Sequence, residues 1–143
     1  MTTDRHHTAV EAETLNELVR MARAAAETAY ARYSHFRVGA AVLAGGETFT
    51  GVNIENASYG LTICAERTAI FNAVTKGHRR IEAIAVACID AASDAQPSLR
   101  MPCGACRQVI AEFAGADTPV IIDGVGQTTV GKLLPEAFAL TPR

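Results

Sequence analysis

A chain of 143 residues with 49% hydrophobic and 20% charged residues has the size and balance of one globular domain, able to bury a core without disulfide or metal staples. Its net charge of -2 supplies no field for gathering phosphates, and no Lys/Arg run interleaved with aromatics occurs, which argues against a nucleic-acid polymer as partner. No apolar run approaches the roughly 18 residues of a membrane span, and the polar start Met1-Thr2-Thr3-Asp4-Arg5-His6-His7 lacks a signal peptide's apolar stretch. The expectation is a cytoplasmic protein without a membrane partner, one domain over 1–143 with flexible tails at 1–9 and 139–143.

From Val10 to Tyr30, residues Leu15, Leu18, Val19, Ala22, Ala25, Ala26 and Ala29 recur at helical spacing opposite Glu13, Glu17 and Arg20, which predicts an amphipathic helix packed closely on a sheet. Val38 to Leu43 and Glu47 to Asn53 read as two antiparallel strands joined at Ala44-Gly45-Gly46. After a polar loop, Cys64 to Lys76 repeats small and apolar residues at helical spacing, with Gly77 as a C-terminal stop. Ile81 to Ile89 is almost uninterruptedly apolar, as in a central strand buried on both faces.

Asp90 to Met101 reads as a surface loop with no function expected in its middle. Pro102 then suits entry to a helix from Cys103 or Gly104 to Phe113, and Thr118 to Ile122 forms a strand. The right-handed crossover rule makes that strand parallel to the one at Ile81 to Ile89. Gly124-Val125-Gly126 turns the chain toward a last short element.

Cysteine spacing carries the chemistry. Cys64, Cys103 and Cys106 are three soft ligands that would leave a four-coordinate zinc one corner open for water, with Glu66 near enough to handle that water's protons. Both clusters fall at predicted helix starts, where the positive dipole end favours thiolate over thiol. Three thiolates still outweigh the two charges of zinc, so positive support is expected beside them. Arg67 and Arg107 each adjoin a cluster and could donate to sulfur, and Arg67 is expected to do so. Two ordinary surface arginines are the competing reading, because adjacency in sequence does not fix side-chain direction.

Other bland readings compete at each position. Glu66 in a first helical turn would favour the dipole without any catalysis. A purely structural zinc would want a fourth protein ligand. Cys88, within an apolar strand pattern, reads as a small buried hydrophobe rather than that ligand. His6 and His7 read as tail residues, His78 as a loop residue and His35 as a rim residue, none paired at finger-like spacing.

Five stretches in order resemble the small, homotetrameric, zinc-dependent cytidine deaminases, from about Val10 to Phe138. They are Tyr33-Ser34-His35-Phe36-Arg37-Val38-Gly39-Ala40-Ala41, Asn53-Ile54-Glu55-Asn56-Ala57-Ser58-Tyr59-Gly60, Cys64-Ala65-Glu66-Arg67, Pro102-Cys103-Gly104-Ala105-Cys106-Arg107-Gln108 and Leu133-Leu134-Pro135-Glu136-Ala137-Phe138. The resemblance implies a three-layer α-β-α fold with a five-stranded mixed sheet, one zinc per subunit, and pyrimidine salvage by hydrolysis of cytidine and 2′-deoxycytidine. Zinc hydroxide would attack C4 while Glu66 shuttles protons to N3 and the leaving amine.

It also implies that Asn53 and Glu55 bind the ribose 3′-hydroxyl, that Phe36 packs on the pyrimidine, and that Ala65 belongs to the nucleoside site. Ala57, Tyr59 and Phe138 would approach an active site across a subunit boundary. Without the resemblance, Asn53 and Glu55 read as turn formers, and Phe36 and Phe138 as core aromatics. Arg32 and Arg37 stand where many relatives carry proline, so the rigidity of the Phe36 loop is open. Two rivals to a cytidine deaminase are a deaminase of another cytosine compound such as blasticidin S, and a non-catalytic zinc-binding assembly module.

Overall fold

In the computed structural model, which describes residues 9–142, the chain folds around one five-stranded sheet. Most of the expected N-terminal tail, with His6 and His7, and the final Arg143 lie outside the described residues. The elements are α1 (Ala12–Ala26), β1 (Val38–Ala44), β2 (Glu47–Val52), α2 (Ala65–Thr75), β3 (Ala83–Cys88), α3 (Gly104–Phe113), β4 (Pro119–Ile122), β5 (Gly126–Thr129) and α4 (Val130–Leu133). The spatial order is β2-β1-β3-β4-β5. Every pairing is antiparallel except β3 with β4, which α3 connects as the expected crossover.

The pleat divides the core. Ala41 of β1 and Ala83, Ala85 and Ala87 of β3 meet Leu15, Leu18 and Ala22 of α1. Ala40, Val42, Ile84 and Val86 face the other way, against Ala69 and Ile70 of α2 and Ile110 of α3. Helices thus cover both faces of a three-layer α-β-α arrangement, and all six residues of β3 are buried, as a strand covered on both sides requires.

Small residues let the helices come close. A Cβ on Gly39 would fall 1.9 Å from the Ala22 carbonyl oxygen of α1, and one on Gly51 would fall 2.1 Å from the Ala69 nitrogen and 2.7 Å from the Ala65 carbonyl oxygen of α2. Gly51 therefore seats the first turn of α2 on the sheet.

The first helix is shorter than its periodicity predicts. It ends at Ala26 because the chain at Tyr30 turns to pair with the end of β2: the Tyr30 N–H donates to the Asn53 carbonyl at 3.0 Å, and the Glu55 N–H to the Tyr30 carbonyl at 2.9 Å. Alanine suits a helix, but these backbone bonds hold the segment outside it. The Asp90 to Met101 stretch is a loop as expected, yet its end closes into a 3-10 turn at Pro97–Arg100.

Gly51→Ala is expected to lower unfolding free energy by about 1–3 kcal/mol through overpacking, and to shift the first turn of α2 enough to reduce zinc retention. Gly60→Ala, where nothing lies within 4 Å of the added Cβ, should match the wild type in urea unfolding and in zinc content.

Candidate active site

The N-termini of α2 and α3 converge on one spot, and a cysteine occupies the N-cap of each: Cys64 for α2 and Cys103 for α3. Neither side chain caps its helix, so both sulfurs remain free to turn toward each other. Cys106, in the first turn of α3, completes a set of sulfurs all within 4.8 Å of one another. Cys64 and Cys103 Sγ are 3.9 Å apart, and the Cys103 thiol donates to Cys106 Sγ at 3.5 Å.

Sulfurs bound tetrahedrally to one zinc at about 2.3 Å stand roughly 3.8 Å apart, so this donor set fits zinc. Cys106 is buried, Cys64 half-buried and Cys103 exposed. Cys88 is not in the cluster. Burial pushes its thiol up to about 11, which keeps it a neutral hydrophobe at the end of β3.

Shared protons polarise the cluster. A hydrogen bond from Cys106, seconded by Arg67, holds the Cys64 thiol down to about 5, and the same bond drives Cys106 upward. Arg67 stands three residues beyond Cys64, on one face of α2, and its Nη2 donates to Cys64 Sγ at 3.6 Å. Arg107 does not reach a sulfur. Two carbonyls capture its guanidinium, with Nε donating to Pro102 at 2.8 Å and Nη1 to Leu133 at 2.9 Å, so it ties the α4 end to the entry of α3.

Glu66 occupies the second position of α2 and is 4% exposed. Burial first, and the Cys64 charge after it, push its carboxyl up to about 7 against its own backbone N–H, the Cys106 thiol and Arg67. It opens on a cavity of about 170 Å³ lined also by Cys64, Cys103, Ala65, Phe36 and Asn53. A carboxyl poised near neutrality beside a metal can both take and return a proton.

Asn53 is buried, and its amide spans the strand start: Nδ2 donates to the Phe36 carbonyl at 2.8 Å and Oδ1 accepts from the Val38 N–H at 2.9 Å. Glu55 accepts the Tyr33 and Ser34 N–H groups at 3.0 Å each, and the Ser34 hydroxyl on its other oxygen. The structure thus gives both residues a structural task at the Phe36 loop.

Glu55, Ala57, Tyr59 and Phe138 do not line the cavity. Tyr59 is 91% and Phe138 69% exposed, which excludes the core role that aromatic residues usually take, and Gln108 Nε2 donates to the Phe138 carbonyl at 3.1 Å. His35 is exposed and has a positive φ of 58°. Leu99, Arg100 and Met101 line the cavity although their loop offered no motif. Their one signal in the sequence was adjacency to Pro102-Cys103.

The family model for the cytidine and deoxycytidylate deaminase zinc-binding region matches residues 12–122. The chain belongs to the cytidine deaminase family. A cytidine deaminase of Halalkalibacterium halodurans is 50% identical over 126 residues, spanning 85% of this chain and 91% of that protein. The blasticidin-S deaminase of Bacillus cereus is 34% identical over 125 residues, spanning 83% and 88%. A crystal structure of cytidine deaminase from Burkholderia pseudomallei superposes with a TM-score of 0.75 at 45% identity, covering 86% of this chain and 98% of that one. Membership agrees with the thiol cluster as the zinc site of the family model.

Arg67→Ala removes the cluster's hydrogen-bonded cation and is expected to weaken zinc retention by about 10- to 100-fold. Competition against a chromogenic chelator measures this, and wild-type retention would show that the Arg67–Cys64 contact does not support the metal.

Proposed function

We propose that this protein hydrolyses cytidine and 2′-deoxycytidine to uridine and 2′-deoxyuridine with release of ammonia. The observation that carries the reading is Glu66, a buried carboxyl beside three clustered thiols in a cavity. When bound, zinc supplies Lewis acidity to a water at its open corner.

Glu66 would take one proton from the attacking water and place it on N3 of the pyrimidine as oxygen bonds to C4, then move the remaining proton of the new C4 hydroxyl to the amine, which leaves as ammonia when the C4–N bond breaks. Exclusion of solvent makes both transfers effective, because the acid is held close and its pKa lies near the working pH. Phe36 and Ala65 flank the ring. The base occupies the cavity beside Glu66, and the sugar extends toward Asn53 at the cavity wall and Glu55 beyond it. Both can still accept a sugar hydroxyl, since a carboxylate has about four acceptor positions and an amide oxygen two. Contacts to the 3′-hydroxyl do not discriminate at the 2′ carbon, so ribo- and deoxyribonucleosides both qualify.

The enzyme is proposed to act as a single-domain subunit of a homotetramer in cytoplasmic pyrimidine salvage. Exposed Tyr59, Ala57 and Phe138 support a site completed by a neighbouring copy, where their apolar surface would be buried. The resemblance to a blasticidin-S deaminase favours a second reading, turnover of that cytosine compound. Relative kcat/KM on cytidine and blasticidin S separates the two. A non-catalytic module would have no use for a buried, unneutralised acid at its metal.

Zinc-loaded protein is expected to convert cytidine to uridine, followed by ultraviolet absorbance. Glu66→Gln should keep zinc and cytidine binding while kcat falls by about 10²–10⁴-fold, and Cys103→Ala should lose the metal. Zinc-replete wild type without turnover would overturn the deaminase reading.

Phe138→Ala and Glu66→Gln subunits, each poorly active alone, should regain part of the wild-type rate when co-expressed, because a Glu66→Gln subunit can lend its Phe138 to a partner with intact Glu66. No recovery in a mixed tetramer, verified by mass, would mean that each site is built within one chain.

A further inference from the structure

Arg37 lies between two residues of the cavity wall, Phe36 and Val38, without lining the cavity itself. Its backbone N–H donates to Asp90 Oδ2 at 2.8 Å, its Nε to the same oxygen at 2.9 Å, and its Nη2 to Asp90 Oδ1 at 2.8 Å. This is a two-pronged guanidinium–carboxylate pair with a backbone bond added, a geometry that fixes orientation as well as distance. A fourth donor, Nη1, reaches Glu27 Oε2 at the end of α1 at 2.9 Å, and the Arg37 carbonyl accepts the Ile89 N–H at 3.2 Å.

Asp90 begins the 90–101 loop. Arg100 closes that loop on itself, its Nη2 donating to the Ala92 carbonyl at 2.6 Å, and Leu99, Arg100 and Met101 form a second stretch of the cavity wall. Two sets of contacts, Arg37 with Asp90 and Arg100 with Ala92, joined by the chain from Asp90 to Ala92, therefore link the Phe36–Val38 wall to the Leu99–Met101 wall. Asn53 already fixes the first wall to the end of β2. The Arg37–Asp90 pair, beside the β1–β3 pairing, is a further tie between the first wall and the start of the loop that carries the second.

We propose that the Arg37–Asp90 pair is a positioning device for the substrate pocket, holding these two walls at a set separation before the nucleoside enters. The idea rests on the cavity being the nucleoside site. A proline at position 37 could make neither the N–H nor the guanidinium bonds. With 38% of the Arg37 side chain and 26% of Asp90 exposed, the pair is partly screened and contributes little to global stability. Its loss is therefore read in the pocket rather than in folding.

Steady-state kinetics on cytidine and hydrogen exchange, both on zinc-loaded protein, test the proposal with Arg37→Ala, Asp90→Ala and the double variant. Each single variant is expected to raise KM about two- to fivefold, the scale of a partly exposed ion pair, with kcat unchanged. The double variant should be no worse than either single. Glu27→Ala, which leaves the Asp90 contacts intact, should match wild type. Exchange at residues 98–101 should quicken in Arg37→Ala as it does in Asp90→Ala. Unchanged KM, effects that multiply in the double variant, or faster exchange confined to residues 36–38 would overturn the coupling. Absence of cytidine turnover in the wild type would defeat the deaminase reading separately, and the exchange measurement would still decide whether the two walls are tied.

Discussion

Three sulfur atoms crowded within 4.8 Å repel one another as soon as they ionise, and the rest of the structure is arranged around making that crowding tolerable. Two helix N-termini point at the cluster, each offering unpaired N–H groups and the positive end of its dipole. Arg67 adds a full charge from the same face of α2. Both helices pack on one side of the sheet, and their starts coincide because α2 is seated by Gly51 and α3 is the crossover between parallel strands β3 and β4. Move either helix by a turn, about 5.4 Å, and one cysteine leaves the set.

Desolvation then sorts identical groups into different roles. Cys64 and Cys88 line the same cavity, yet hydrogen bonds and a guanidinium hold the first toward thiolate, whereas burial keeps the second protonated. Glu66 suffers the same burial, and its carboxyl rises where an exposed acid would stay ionised. A folded protein retains such a group at a cost in stability, and here the group adjoins a metal-binding set with a cavity in front of it.

Strand patterning and ligand spacing were legible in the sequence because both are local. The turn at Ala44-Gly45-Gly46 between two β-rich runs placed the first strands, and Cys103-x-x-Cys106 put two sulfurs on one helical turn. The end of α1 was not legible, since the alanines favour continuing the helix and nothing local shows that Tyr30 pairs with Ile54. Arg107 misled for a related reason. Its neighbour in sequence is a ligand, but the Leu133 carbonyl that captures it arrives from 26 residues away. Leu99 to Met101 reach the cavity only because the 90–101 loop folds back through Arg100, and that fold has no periodic signature.

Charge around the cavity bears on what can enter it. Among the described residues lining it, Arg100 is the one cation, and its guanidinium is held by the Ala92 and Asp123 carbonyls. Arg67 faces sulfur, Arg107 faces backbone and Arg37 faces Asp90 and Glu27. The remaining charges at the cavity are the Glu66 carboxyl and the thiol cluster, acidic groups all. An anion drawn into this cavity would lose its water without gaining a free guanidinium, and would approach like charge in a partly desolvated space. An uncharged base meets neither penalty, since it offers ring nitrogens and an amine rather than a charge. The distribution of partners around each arginine therefore makes the cavity a better place for an uncharged group than for an anion.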